Sequence, residues 1–328
     1  GEGTESSGNG RYAWGTWADT DKVSAVRDAV DAGLFPGPRI TSSGPQISSR
    51  QGLADYYPTW FGFPATGVGV QARNSGEGIE EIRHQVKDGA DFIKIAASGG
   101  STLTSDPYRA SYSVAELNSI VNEAHNRGRS VLAHCRCTDA INSALDAGVD
   151  AIFHCSFYDN DGSYRFDQMT ADRLAASETW LNPTMNLGRA NRVRLTQIME
   201  ERPLTPDEQV RLERSTESGE NSMDQFSTLI KAGVKLVGGS DCGWSNYPFG
   251  DFQGEMLALH SAGLSPLEAI YAGTRSPATA LGIEDSIGTV EPGKEADLLV
   301  VNGDPSQDLE RLRDVAAVFK GGVRVATA

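Results

Sequence analysis

SVLAHCRCTDAINSALDAGVDAIFHC, residues 130–155, is two apolar runs on either side of one amphipathic segment. The runs, at 130–135 and 151–154, have the length and character of buried strands. Between them, residues 138–148 carry apolar side chains at helical spacing and stop at Gly148, a residue type suited to closing a helix. Strand, helix and strand in that order imply a βαβ unit and a parallel sheet.

The pattern continues in both directions. Short apolar runs at 39–43, 91–97, 179–181 and 235–238 read as further strands. Helical segments are expected over 21–33, 76–89, 113–128 and 170–177, with a long polar one over 205–232. Most end at Gly, and Ser113 followed by Glu116 reads as a capping box. Repeated strand–helix units without a Gly-rich dinucleotide motif favour an α/β fold of the (β/α)8 barrel type over a doubly wound sheet. After about Leu281 the pattern changes to short strands joined by Gly and Pro turns, a small C-terminal β appendage. The expected division is therefore an irregular segment at 1–20, a barrel at 21–281, and at 282–328 part of a small composite β domain.

Composition sets the partners. With 29 basic and 44 acidic side chains in 328 residues, the net charge is −15. Such an acidic surface argues against nucleic acid or anionic membranes as partners. No stretch approaches the ~20 apolar residues of a membrane span, and a cytoplasmic location is expected. The opening GEGTESSGNGRYAWG has neither a basic nor an apolar signal region and is read as an internal segment that follows a missing upstream region. Four cysteines, Cys135, Cys137, Cys155 and Cys242, make no disulfide framework in a chain this long and read as small residues packed at strand ends.

In a barrel, functional side chains sit at the C-terminal ends of strands. Lys94 lies in DFIKIAA, where a bare ammonium is costly; His134 ends SVLAHC, His154 ends DAIFHC and Asp241 ends VKLVGGSD. Each has a bland alternative: a hydrogen-bonded core His, a Lys paired with an acid, an Asp capping the next helix. Taken jointly, four metal-competent groups at strand ends favour a metal site. His84 and His125, on polar helices, read as solvated, and His260 as structural.

KDGADFIKIAASGG, YSVAELNSIVNEAHNRGRSVLAHC, ALDAGVDAIFHC, GSD and the tail SPLEAIYAGTRSPATALGIEDSIGTVEPGKEADLLVV together resemble the metal-dependent amidohydrolase superfamily. The branch is that of the imidazolonepropionase-like and Xaa-Pro dipeptidase-like enzymes, and the molinate and phenylurea hydrolases are the subgroup the chain most resembles. The resemblance implies a hydrolase in which a metal-activated water attacks an amide, carbamate or thiocarbamate carbonyl of a small, largely apolar substrate. Lys94, carboxylated on its amine, would bind metal with His134, His154 and Asp241, and Asp241 would also shuttle protons. Cobalt or zinc suits such nitrogen and oxygen donors. Two features depart from the family. Its first-strand His-x-His pair is absent, so one metal ion is expected, and two only with an upstream His-x-His fragment. Where relatives carry a Gly-Gly-His-Gly-like segment, this chain has ISSRQGLADYY, which puts Arg50 at the pocket mouth.

Substrate walls are expected from Arg50, Tyr108, Tyr112, Asn182, Met185, Trp244 and Tyr247, although these loop residues could equally pack on one another. A cyclic amidase or Xaa-Pro-type dipeptidase is the alternative enzyme, and a dipeptidase needs a cationic anchor such as Arg50, Arg109 or Arg189. A non-catalytic barrel subunit is the alternative outside catalysis. The expected partners are a small-molecule substrate and further copies of the chain, as a dimer or tetramer, with its own N-terminal fragment bound.

Overall fold

A computed structural model describes residues 13–15, 20–55, 58–61, 69–100, 104–242, 247 and 249–325. The chain forms two compact units, Tyr12–Asn182 and Pro183–Ala328.

In the first unit the strands are β1 (Ala13–Gly15), β2 (Ile40–Ser42), β3 (Gln46–Ser48), β4 (Gly69–Gln71), β5 (Ile93–Ala96), β6 (Val131–Cys137), β7 (Ala151–Tyr158) and β8 (Trp180–Asn182). The helices are α1 (Thr20–Asp31), α2 (Ser75–Lys87), α3 (Val114–Asn126), α4 (Thr138–Ala147) and α5 (Gln168–Ala175). β1 pairs with β2, and the remaining strands form one six-stranded sheet in the order β4-β3-β5-β6-β7-β8. Every pairing in this unit's sheets is parallel. Helices α2 to α5 supply the crossovers between successive strands from β4 to β8. This is the α/β barrel pattern expected from residues 130–155.

Local chemistry explains the ends. Asn74 caps α2, and Ser113 and Glu116 close a complete capping box on α3. Gly148 ends α4 in the left-handed conformation, φ 74. One face of the sheet, through Ile93, Ile95, Val131, Ala133 and Ile152, is fully buried. The helices offer Leu117, Ile120, Val121 and Ala124 of α3, and Ala140, Ile141, Ala144 and Ala147 of α4. Burying each Ile or Leu side chain contributes about 1.5–3 kcal/mol.

The second unit holds α6 (Met185–Glu201), α7 (Pro206–Lys231), α8 (Phe252–Ser261), α9 (Pro266–Ala272), α10 (Arg275–Ala280), β9 (Leu298–Val301), β10 (Val315–Lys320) and β11 (Val323–Val325). The three strands form a small antiparallel sheet in the order β11-β10-β9, the expected C-terminal appendage. Phe252, Met256, Leu257, Leu259, Ala269, Ala272 and Leu309 form this unit's apolar core.

Two expectations need correction. Residues 235–238 form no extended strand, only a single β-bridge at Leu236; the Gly238 amide is committed to the Ala272 carbonyl at 2.7 Å. Helix α6 was not foreseen, because NLGRANRVRLTQIME has no clear apolar stripe. All four cysteines are buried and unbridged, as the sequence suggested. Among the described residues no helix is long and apolar enough to cross a membrane.

Candidate metal centre

Sheet register decides which side chains share a face. Ala96 pairs with His134, His134 with Phe153, and Phe153 with Asn182. Directly paired residues of a parallel sheet project to the same side, and so do residues two apart on one strand. Lys94, His134, Phe153 and Asn182 therefore share a face. One layer below on that face, Phe92, Leu132 and Ala151 pack against Phe153.

His154 follows Phe153 and in a regular strand would point to the opposite side. Instead its ring lies edge-on to His134, with centroids 4.6 Å apart and planes at 71°. The cause is local. His154 and Cys155 are left-handed, at φ 66 and 51, and the β6–β7 register shifts there, from Cys135 opposite His154 to Cys137 opposite Tyr158. Bulges of this kind re-aim side chains and concentrate beside active sites. The backbone is thus strained to bring the second imidazole to the first.

Both imidazoles are held neutral. Burial is the main reason that His134 and His154 lie well below the usual histidine range. Arg136 and Lys94 push His134 further down, while His154 also feels His134 itself. His134 Nε2 is 3.1 Å from the Gly99 carbonyl. A carbonyl oxygen only accepts, so Nε2 carries the proton and Nδ1 carries the free lone pair. The same carbonyl accepts Ser98 Oγ at 3.0 Å, while Ser98 Oγ accepts the Arg136 amide at 2.9 Å. The turn after β5 thereby sets the tautomer, as a group behind a ligating histidine commonly does.

Lys94 is 4% exposed, with Nζ 3.3 Å from the centroid of the Phe153 ring. Asn182 is 1% exposed and its Oδ1, buried at the end of β8, makes no hydrogen bond among the described residues. Two neutral imidazoles, a buried amine and an orphaned amide oxygen suit a borderline divalent cation. Nitrogens ~2.0–2.1 Å from one ion lie about 3–4 Å apart, a spacing that rings with centroids 4.6 Å apart can present. Among the described residues no group of three or more His, Cys, Asp and Glu gathers in one place, so the set needs further oxygen donors.

The other expected residues divide. Asp241 belongs to the second unit and is left-handed, φ 53. Met185 opens α6 in that unit. Arg50 is exposed, and Tyr108 lies edge-on to Tyr158 at 5.6 Å. Trp244 lies outside the described residues. Tyr112 is 5% exposed, and its hydroxyl donates to the Ala72 carbonyl at 3.1 Å. Tyr247 likewise donates to the Asp251 carbonyl at 2.7 Å. His84 and His125 are exposed near helix ends, and His260 Nδ1 meets the Leu264 carbonyl at 2.6 Å.

Arg136 was missed. Its Nε is buried without a hydrogen bond, its guanidinium carbon stands 6.0 Å from the Tyr158 ring centroid, and no acid pairs with it among the described residues. The signal was in the sequence, since Arg136 stands two residues after His134. Glu255 was missed as well, a lone acid inside the apolar FQGEMLAL of α8.

Known proteins share this architecture. The ochratoxinase of Aspergillus niger is 27% identical over 317 residues, covering 90% of this chain and 62% of that protein. The chain thus spans about three fifths of the length of the curated relatives it matches first. A crystal structure of a Xaa-Pro dipeptidase with bound methionine aligns at a TM-score of 0.79 and 26% identity, covering 96% of this chain and 75% of that one. Molinate hydrolase aligns at a TM-score of 0.77 over 99% of this chain and 74% of its own; at 22% identity the likeness is one of fold. The Amidohydrolase family profile matches residues 12–325, a span that takes in every described residue, and the chain belongs to the amidohydrolase family.

Proposed function

We propose that the protein is a metal-dependent hydrolase of an amide-type carbon–nitrogen bond, with Lys94, His134, His154 and Asp241 as metal ligands and cobalt or zinc as the ion. The observation that carries this reading is the strained bulge that sets His154 against His134 with both rings neutral. Once bound, the ion would polarise the substrate carbonyl and make water nucleophilic near neutral pH. His134 would offer Nδ1, its other nitrogen being tied to Gly99. Lys94, carboxylated at Nζ by carbon dioxide, would change from a buried cation to an oxygen donor, which relieves the cost of burying an ammonium. The Asp241 carboxylate would take the proton from the attacking water and return it to the leaving nitrogen.

The substrate is proposed to be small and largely apolar, an amide, carbamate or thiocarbamate, seated against Arg50, Tyr108, Asn182, Met185 and Trp244. A second reading has its own support. The guanidinium of Arg136, with no acid paired to it among the described residues and its buried Nε without a hydrogen bond, would match a carboxylate, as in an N-acyl amino acid or dipeptide. It joins Arg50, Arg109 and Arg189 as a candidate for the anchor expected of such an enzyme. Similarity to an ochratoxinase and a Xaa-Pro dipeptidase makes both readings worth assaying.

The test uses the metal-loaded chain with ethyl N-phenylcarbamate and N-acetyl-L-phenylalanine. Hydrolysis of at least one is expected. Asp241→Asn should keep fold and metal and lose about a hundredfold or more in kcat, within the usual range for a general acid–base group. Near-full rate in Asp241→Asn would end that role. A preference for the N-acyl amino acid that vanishes in Arg136→Met would establish the second reading, and an unchanged preference would reject it.

A further inference from the structure

Helices α3, α7 and α9 begin with local caps: Ser113, Thr205 and Ser265 each accept an amide from their own first turn in a complete capping box. Helix α6 does not. Its N-cap residue Thr184 is left-handed, φ 51, and its hydroxyl donates to the Pro183 carbonyl at 2.8 Å, away from the helix. The first two amides of α6 are met from far along the chain. Glu255 Oε1 accepts Met185 N at 2.9 Å and Oε2 accepts Asn186 N at 2.7 Å.

Glu255 is 0% exposed, in the middle of α8. Burying a carboxylate is costly, and a nearby Ser or Asp would cap the helix without that cost. What the distant cap adds is position. It ties the turn that follows β8 to the helix that follows Asp241. Asn186 extends the tie: Nδ2 donates to Tyr247 Oη at 2.6 Å and to Asp251 Oδ2 at 3.0 Å. Tyr247 in turn donates to the Asp251 carbonyl, and Arg313 Nη1 meets Asp251 Oδ1 at 2.5 Å. The fit is tight, because a Cβ on Gly254 would stand 2.2 Å from Asn186 Nδ2 and 2.6 Å from Asp251 Oδ2.

We infer that Glu255 is a positioning residue for substrate selection: with Asn186 it holds the Thr184–Asn186 turn, and Met185 with it, against Tyr247, Asp251 and the start of α8. This rests on the proposed function, which gives Met185 to the substrate wall. The turn is held by two amides that no side chain of α6 itself satisfies. Loosening it should therefore blur how substrate is seated while leaving the reacting groups in place.

Glu255→Gln, Asn186→Ala and Tyr247→Phe in the metal-loaded full chain test this by amide hydrogen exchange and by steady-state rates. In Glu255→Gln, exchange at Met185 and Asn186 should rise about tenfold or more while the β5–β7 amides keep their protection. With the better of the two probes, ethyl N-phenylcarbamate or N-acetyl-L-phenylalanine, KM should rise about tenfold with kcat within about threefold. Asn186→Ala and Tyr247→Phe, which leave the buried carboxylate and its two amide bonds intact, should move KM in the same direction and by less. Exchange that speeds up evenly across the chain with KM unchanged would make Glu255 a core residue only and overturn the inference, and so would unchanged exchange at Met185 and Asn186. Should Glu255→Gln not fold, the exchange and KM values of the other two variants decide. Should the wild type cleave neither probe, the hydrolase reading fails alone and the exchange result still judges Glu255.

Discussion

His134 and Glu255 show how burial sets the charge of single groups. Burial holds the His134 imidazole neutral, whereas it pushes the Glu255 carboxyl up to about 7. The two α6 amides oppose that rise, and the Asp241 charge adds to it. The sign of the consequence is fixed. An acid whose folded pKa is raised stabilises the fold fully below its unfolded value, about 4.5, and that stability is lost as pH climbs through about 7. The shift is worth about 3 kcal/mol at 1.36 kcal/mol per unit. Urea unfolding of the wild type and Glu255→Gln at pH 5 and pH 8 checks this. Relative to the variant, the wild type should lose about 2 kcal/mol or more between those values, pH 5 already lying above the unfolded value, and an unchanged difference would contradict the assignment. Taking the difference between the two proteins removes the histidines, whose lowered values favour the fold at higher pH.

The turn after β5 and the bulge in β7 convert ordinary strands into a site. Gly99 and Gly148 separate the two roles a glycine can play here. A Cβ at Gly148 would meet nothing within 4 Å, so only its left-handed φ of 74 is at issue. A Cβ at Gly99 would lie 2.4 Å from the Asp106 carbonyl oxygen and shift the carbonyl that orients His134. Gly148→Ala should cost about 1 kcal/mol with metal affinity unchanged. Gly99→Ala should weaken metal binding about 10–100-fold, as loss of a group behind a ligating histidine does. Equal metal affinity in both variants, by competition titration against a chelator, would show that the β5 turn does not orient His134. These devices also mark where the sequence stops being legible. The βαβ unit at 130–155 could be read because periodicity and the terminal Gly are local signals. That His154 lies on a strand could be read too, but β7 runs on past it to Tyr158 and alternation puts its ring on the wrong side; only the left-handed pair corrects that. Residues 235–238 look like a strand but give an amide to α9, and α6 takes its cap from a residue 70 positions away. Such long-range partners leave no periodic trace. Arg136 was legible from its place two residues after His134.

Across the whole molecule, the parallel sheet, the C-terminal antiparallel sheet and the family match over residues 12–325 agree with one another. What distinguishes a hydrolase from a barrel that merely kept the fold is whether the strained β7 bulge serves a cation. A scaffold has no use for two neutral imidazoles turned edge-on at 4.6 Å. Elemental analysis of the purified chain, after exposure to zinc or cobalt and dialysis, measures this directly when paired with the double variant His134→Ala, His154→Ala. The wild type should retain at least one divalent ion per chain, and the double variant should lose it while keeping the same circular dichroism spectrum. A folded wild type that binds no ion, or a double variant that keeps it, would contradict the metal centre.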